Sequence, residues 1–134
     1  MNWNWKLLDA GRFKLDGGSM FGVVPKGLWS QFCPPDENNC ISYCCNCLIL
    51  ENGDRKILVE TGFGKEWTNK EKQLYGMNNK NILDALHFSN IEPESIDEII
   101  LTHLHFDHAA GAMLLPNAKV IVQKQEWEDA KNNR

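Results

Sequence analysis

Residues 102–108 read THLHFDH and hold three of the four histidines in the chain. His103 and His105 are two positions apart, so in an extended segment both imidazoles project to one side. Asp107 continues the same alternation, and His108 begins a turn. The segment can therefore offer two nitrogens to one metal ion and a carboxylate with a nitrogen to a second. Such ligands suit Zn²⁺, and also Mn²⁺ or Fe²⁺.

Two ordinary structures compete with a metal site at this segment. It can be a surface loop with solvated histidines, or a helix N-terminus that Asp107 caps. However, residues 98–102 (EIILT) form a short apolar run that predicts a buried strand just before the motif. Functional residues collect on loops at strand ends, which favours the metal site.

The composition predicts one globular domain over residues 1–134. The chain is 43% hydrophobic and 24% charged, which excludes intrinsic disorder as its main state. Its 14 basic and 18 acidic residues give a net charge of −4, with no basic cluster, which argues against a nucleic-acid partner. No apolar run approaches the roughly 20 residues of a membrane helix, and the first residues do not resemble a secretory signal. We therefore expect a cytoplasmic protein.

The cysteines suggest a second candidate site, which we interpret as structural. Cys44 and Cys47 form a CxxC pair, but no second Cys or His pair follows at the spacing of a zinc site. The surrounding segment ISYCCNCLIL is typical of a buried strand in which cysteine acts as a small hydrophobe.

The remaining pattern predicts a mixed α/β (α+β) fold. A turn is predicted at Gly17 and Gly18, Asn-Gly at 52–53 indicates a hairpin, and Ser95 with Glu98 forms a candidate capping box. Residues 66–76 fit no pattern. Strands are predicted at 5–15, 41–51, 56–60, 98–102 and 118–123, and helices at 81–88 and 124–131.

Several segments resemble the metallo-β-lactamase-fold hydrolases. THLHFDHAAG resembles their HxHxDH signature, and ILVETG at 57–62 resembles a strand and turn that supply an acidic residue beneath the metals. LDGGSMFGVVPKGLW at 15–29 resembles the lactonase-like branch, which includes quorum-quenching acyl-homoserine-lactone hydrolases. Residues 117–130 are similar to the strand and helix start that follow the motif there. The resemblance thus covers nearly all of the chain.

The resemblance implies a dinuclear metal site with two Zn²⁺ ions when complete. His103 and His105 would bind the first metal, Asp107 and His108 the second, and Glu60 would support them where the family usually has aspartate. It implies hydrolysis of a lactone or similar ester by a hydroxide bound to both metals. Asp107 would orient that hydroxide and is the expected catalytic residue.

The implied fold is a four-layer αββα sandwich built from two similar halves, with the metals at one edge. Family members supply three further ligands downstream, whereas no histidine follows His108 here. We therefore expect the N-terminal half of the fold, from a truncated product or a partial sequence. An exposed inner sheet face would then favour self-association.

Other functions remain open. Thioester hydrolysis of the glyoxalase II type and organophosphate hydrolysis use the same first-half motif on other small-molecule substrates. A different class of function is a non-catalytic metal-binding or interaction fragment whose site another chain completes.

Overall fold

The computed structural model describes residues 2–132. Five strands form one sheet in the order β1-β2-β3-β4-β5. The strands are β1 (Asn4–Asp16), β2 (Cys40–Asn52), β3 (Arg55–Val59), β4 (Glu98–Ile100) and β5 (Lys119–Ile121). The α-helices are α1 (Gly17–Phe21), α2 (Lys26–Trp29), α3 (Asn69–Leu74), α4 (Ile82–Phe88), α5 (Phe106–Ala109) and α6 (Lys124–Asn132), and short 3-10 helices span Pro93–Ser95 and Ala110–Leu114. The predicted mixed α/β class is confirmed.

The sheet combines one antiparallel hairpin with two parallel pairings. Strands β2 and β3 pair antiparallel around Gly53, whose φ of 61° suits the tight turn, so the predicted hairpin is confirmed. Strand β3 pairs parallel with β4, with Val59 opposite Ile100, and β4 pairs parallel with β5. Because carboxyl ends of parallel strands meet at one edge, the residues that follow Val59 and Ile100 emerge side by side.

The chain divides into two compact units. The first comprises Cys45–Glu66 and the described parts of Met1–Gly11 and Asn79–Arg134. One sheet face forms its core, where Ile49, Leu58 and Ile99 are fully buried together with apolar residues of α4. This unit contains the HxHxDH motif. The expectation of one partial domain over 1–134 stays a prediction.

The second unit comprises Arg12–Cys44 and Trp67–Asn78. Within it, the rings of Phe21 and Trp29 stack with centroids 4.8 Å apart, so this aromatic pair anchors the two short helices α1 and α2. The turn predicted at Gly17 and Gly18 is right in part. Strand β1 ends at Asp16, and a Cβ on Gly17 would overlap the Trp29 ring, but the two glycines do not form an isolated turn. A helix begins there instead, because the Asp16 side chain accepts a hydrogen bond from the Gly18 amide and caps it.

One further local prediction is wrong, and one segment for which no structure was predicted is helical. Ser95 and Glu98 form no capping box: the Ser95 hydroxyl donates to the Glu92 carbonyl, and Glu98 lies in β4 with its carboxylate 2.7 Å from Arg55. Residues 66–76, which fitted no pattern, contain α3, and Thr68 caps that helix in a capping box.

No helix within residues 2–132 is long and apolar enough to cross a membrane. The cytoplasmic location stays a prediction.

Candidate metal centre

The HxHxDH motif begins on irregular chain after β4 and ends in α5. His105 is the last extended residue, with φ −63° and ψ 149°, and α5 starts at Phe106. Asp107 and His108 therefore lie in the first turn of a helix, and the expectation that Asp107 continues an extended alternation is wrong. The physical reason is the following run of small residues, which lets the backbone close helical hydrogen bonds back to the His105 carbonyl.

This change of backbone gathers three imidazoles in one cluster. The ring centroid of His103 lies 4.7 Å from that of His105 and 4.1 Å from that of His108. The Asp107 carboxylate joins the cluster, with Oδ2 3.3 Å from Nε2 of His108. The fourth histidine, His87, is exposed on α4.

Glu60, the first residue after β3, contacts the residue just before the motif and the last histidine of the motif. Its Oε1 accepts a hydrogen bond from the Thr102 amide at 2.9 Å, and its Oε2 lies 3.1 Å from Nδ1 of His108. The residue is 8% exposed and has a φ of 64°, a left-handed conformation that is unfavourable for glutamate. Its own amide donates to the Ile100 carbonyl, which fixes this conformation.

The side chains around His108 fit a divalent metal. An ionised carboxylate only accepts hydrogen bonds, so Glu60 favours the imidazole tautomer that carries its proton on Nδ1. Nε2 then presents a lone pair toward the Asp107 carboxylate, and a cation or a second proton between them would satisfy both. On His103, Nδ1 lies 2.9 Å from the Thr102 hydroxyl, which leaves Nε2 for another partner.

The motif side chains supply two ligands to each metal ion, which is fewer than a complete metal site has. Among residues 2–132, no group of three or more His, Cys, Asp or Glu side chains is arranged to hold one ion. Two donors per metal is also what the motif itself predicts, and stable zinc sites use three protein ligands or four.

The Gly-rich loop 61–64 (TGFG), which follows β3, holds α5 against the sheet. The amide and the hydroxyl of Thr61 both donate to the His108 carbonyl, at 2.8 and 2.7 Å. The Gly111 amide donates to the Gly62 carbonyl, and a Cβ on Gly111 would overlap the Thr61 carbonyl oxygen. Glycine at 111 thus permits the close approach that positions His108.

Sequence reasoning missed the contact between Glu126 and the motif. Oε1 of Glu126 on α6 accepts a hydrogen bond from the Leu104 amide at 2.9 Å. An acidic residue in the first turn of a predicted helix was the only available signal, and it is shared by many surface helices.

The CxxC pair is not arranged as a metal site. Cys44 and Cys47 are three positions apart in β2, so they project from opposite faces of the sheet. One ion cannot bind both of them, and Cys47 is buried in the core. The geometry agrees with the structural interpretation.

The chain belongs to the metallo-beta-lactamase superfamily, whose sequence pattern matches residues 44–133. It is similar to an N-acyl homoserine lactonase from Bacillus thuringiensis, with 34% identity over 92% of this chain and 50% of the lactonase. A solved structure described as a "probable metal-dependent hydrolase" from Staphylococcus aureus superposes with a TM-score of 0.86 at 33% identity, over 95% of this chain and 49% of that one.

A second solved structure, an N-acyl homoserine lactone hydrolase with the product N-hexanoyl-L-homoserine bound at its catalytic metal centre, superposes with a TM-score of 0.70. It is 29% identical over 94% of this chain and 50% of that chain. The chain therefore spans about half the length of the relatives it matches. The family and the fold class predicted from the motif are confirmed.

Proposed function

We propose that this chain carries the metal-binding part of a hydrolase active site that opens the lactone ring of N-acyl homoserine lactones. The observation that carries the proposal is the cluster of His103, His105 and His108 with Asp107, backed by the buried carboxylate of Glu60. The similarity to an N-acyl homoserine lactonase supports the substrate class.

In this proposal the donors divide between two Zn²⁺ ions, with Mn²⁺ or Fe²⁺ as alternatives. His103 and His105 would hold one, and Asp107 and His108 the other. When bound, such a metal lowers the pKa of water to about 7 and polarises a carbonyl oxygen.

The chain's own residues orient these donors. Glu60 keeps the proton of His108 on Nδ1 and so directs Nε2 into the cluster. The Asp107 side chain is 25% exposed and can accept a hydrogen bond from an incoming water. We therefore propose Asp107 as the catalytic residue, because its carboxylate would fix the direction of attack on the lactone carbonyl.

Because the motif supplies only two donors to each metal, this chain alone is expected to be incomplete for catalysis. Hydrolysis by the purified, zinc-supplied protein that also contains the C-terminal half implied by the resemblance tests this proposal. N-hexanoyl-homoserine lactone, an S-acyl thioester and a phosphotriester are compared, with release of acid followed at constant pH. We expect lactone hydrolysis above the rate of zinc alone, with loss in H105A and retention in H87A, which removes the exposed histidine of α4. Preference for the thioester or the phosphotriester would instead favour the glyoxalase II-type or organophosphate hydrolase. Zinc binding without hydrolysis of any of the three would favour a non-catalytic metal-binding fragment.

A further inference from the structure

Helix α6 turns an acidic residue inward. Every residue of Lys124–Asn132 is exposed except Glu126, which is half-buried. An amphipathic surface helix normally buries an apolar position, and here Trp127 next to it is 53% exposed. Burying a carboxylate costs free energy unless hydrogen bonds compensate for the lost water. The inward position of Glu126 therefore needs a specific partner.

That partner is the backbone of the motif. Oε1 of Glu126 accepts from the Leu104 amide at 2.9 Å, and Leu104 lies between His103 and His105. The nearby acids of α6 behave differently: Glu128 pairs with Lys124, and Asp129 accepts a hydrogen bond from Gln125, both within the helix. Exposed pairs of this kind contribute little to stability. Glu126 alone among these acids has a hydrogen bond to the motif.

The hydrogen bond falls where regular backbone pairing has ended. The Leu101 amide still bonds to the Ile121 carbonyl, but residues 101–105 form no strand. Beyond that point, two carboxylates accept hydrogen bonds from alternate backbone amides. Glu60 accepts from the Thr102 amide, and Glu126 accepts from the Leu104 amide. His103 is bracketed by these two hydrogen bonds.

We propose that Glu126 is a positioning residue of the candidate metal centre, which sets the directions of the His103 and His105 imidazoles by anchoring the Leu104 amide. This inference rests on the proposed function, because it assumes that these imidazoles bind metal. A charge-assisted hydrogen bond to a backbone amide is about twice as strong as a neutral one, so a carboxylate suits this task. Loss of a group that orients metal ligands typically weakens metal affinity about 10- to 100-fold.

Three variants separate anchoring from general effects of charge or helix stability. E126A removes the acceptor, whereas E126Q keeps an amide oxygen that can still accept from Leu104. E128A is the matched control, since it removes a carboxylate two positions away that does not contact the motif. NMR of the 134-residue protein gives two readouts: hydrogen exchange of the Leu104 amide, and the shifts of the His103 and His105 rings during a Zn²⁺ titration, which detect weak as well as tight binding.

We expect E126A to accelerate exchange of the Leu104 amide and to weaken zinc binding at least about tenfold relative to E128A. E126Q should fall between the wild type and E126A in both readouts. If the wild type binds zinc and E126A matches E128A in either readout, the positioning role is overturned while the proposed function stands. If the wild type binds no zinc at His103 and His105, the proposed function fails, and this role fails with it.

Discussion

Replacement of Glu60 by glutamine changes the charge of the central carboxylate while preserving its size. The glutamine side chain can still accept from the Thr102 amide through its oxygen. Its amide nitrogen, however, would face Nδ1 of His108, where Glu60 now places Oε2 at 3.1 Å. Two N–H donors cannot bond to one another, so the His108 proton must move to Nε2 or the contact is lost.

The magnitude follows from the two hydrogen bonds that Glu60 makes. A hydrogen bond to a charged group contributes roughly 1.5–3 kcal/mol, and a neutral one roughly 0.5–1.5 kcal/mol. Two such bonds, to Thr102 and His108, therefore lose about 2 kcal/mol together in E60Q. A proton on Nε2 would also occupy the nitrogen that faces Asp107, so zinc affinity should fall about 10- to 100-fold.

The assay is urea unfolding of the metal-free protein, followed by tryptophan fluorescence, together with a zinc titration. The control is E66Q, which removes the same charge from an exposed position six residues along the chain and should change stability by less than about 0.5 kcal/mol. If E60Q were as stable as E66Q and bound zinc equally well, Glu60 would not organise the motif and the reasoning would be refuted.

Three further predictions concern other parts of the molecule. G111A should destabilise the protein by at least about 2 kcal/mol in urea, because the added Cβ overlaps the Gly-rich loop, whereas G27A, which meets open space in α2, should not destabilise it. The hydrogen bond from Lys14 lowers the pKa of Asp36, so this pair contributes stability above the ordinary carboxyl value of 3.8 and loses it as the pH falls through the lowered pKa. The urea concentrations at the unfolding midpoints of the wild type and of D36N should therefore converge as the pH is lowered. If the difference between the two midpoints stayed the same or grew in acid, the stabilising role of the Lys14–Asp36 pair would be disproved. The predicted self-association would bury exposed apolar side chains, and Trp5 on β1 is 69% exposed. W5K should therefore shift the sedimentation coefficient toward that of a monomer.

Local chemistry made the main elements of the fold predictable. The Asn-Gly dipeptide with apolar runs on both sides predicted the β2–β3 hairpin, and the spacing of apolar residues over 81–88 predicted α4. The density of histidines in 102–108 identified the candidate metal centre. Each of these signals lies within one continuous segment of the chain and needs no knowledge of distant contacts.

The parts that escaped prediction depend on distant contacts or on alternatives that look alike in a short segment. Three residues of alternation cannot distinguish an extended chain from the start of a helix, so the helix at Asp107 was only an alternative to the extended segment that we predicted. Glu60 and His108 are 48 positions apart, and the parallel pairing of β3 with β4 brings them together. The sequence does not specify that register. Glu126 was missed because its half-burial arises only when α6 packs beside the motif.

A Zn²⁺ titration of the 134-residue protein, followed by NMR of its imidazole rings, tests the metal centre most directly. His87 is exposed on α4 and serves as an internal reference for nonspecific binding. We predict that the rings of His103, His105 and His108 respond together at zinc concentrations that leave His87 unchanged. Unchanged signals from the three motif histidines, or an equal response of His87, would contradict the assignment of a metal-binding site to this cluster.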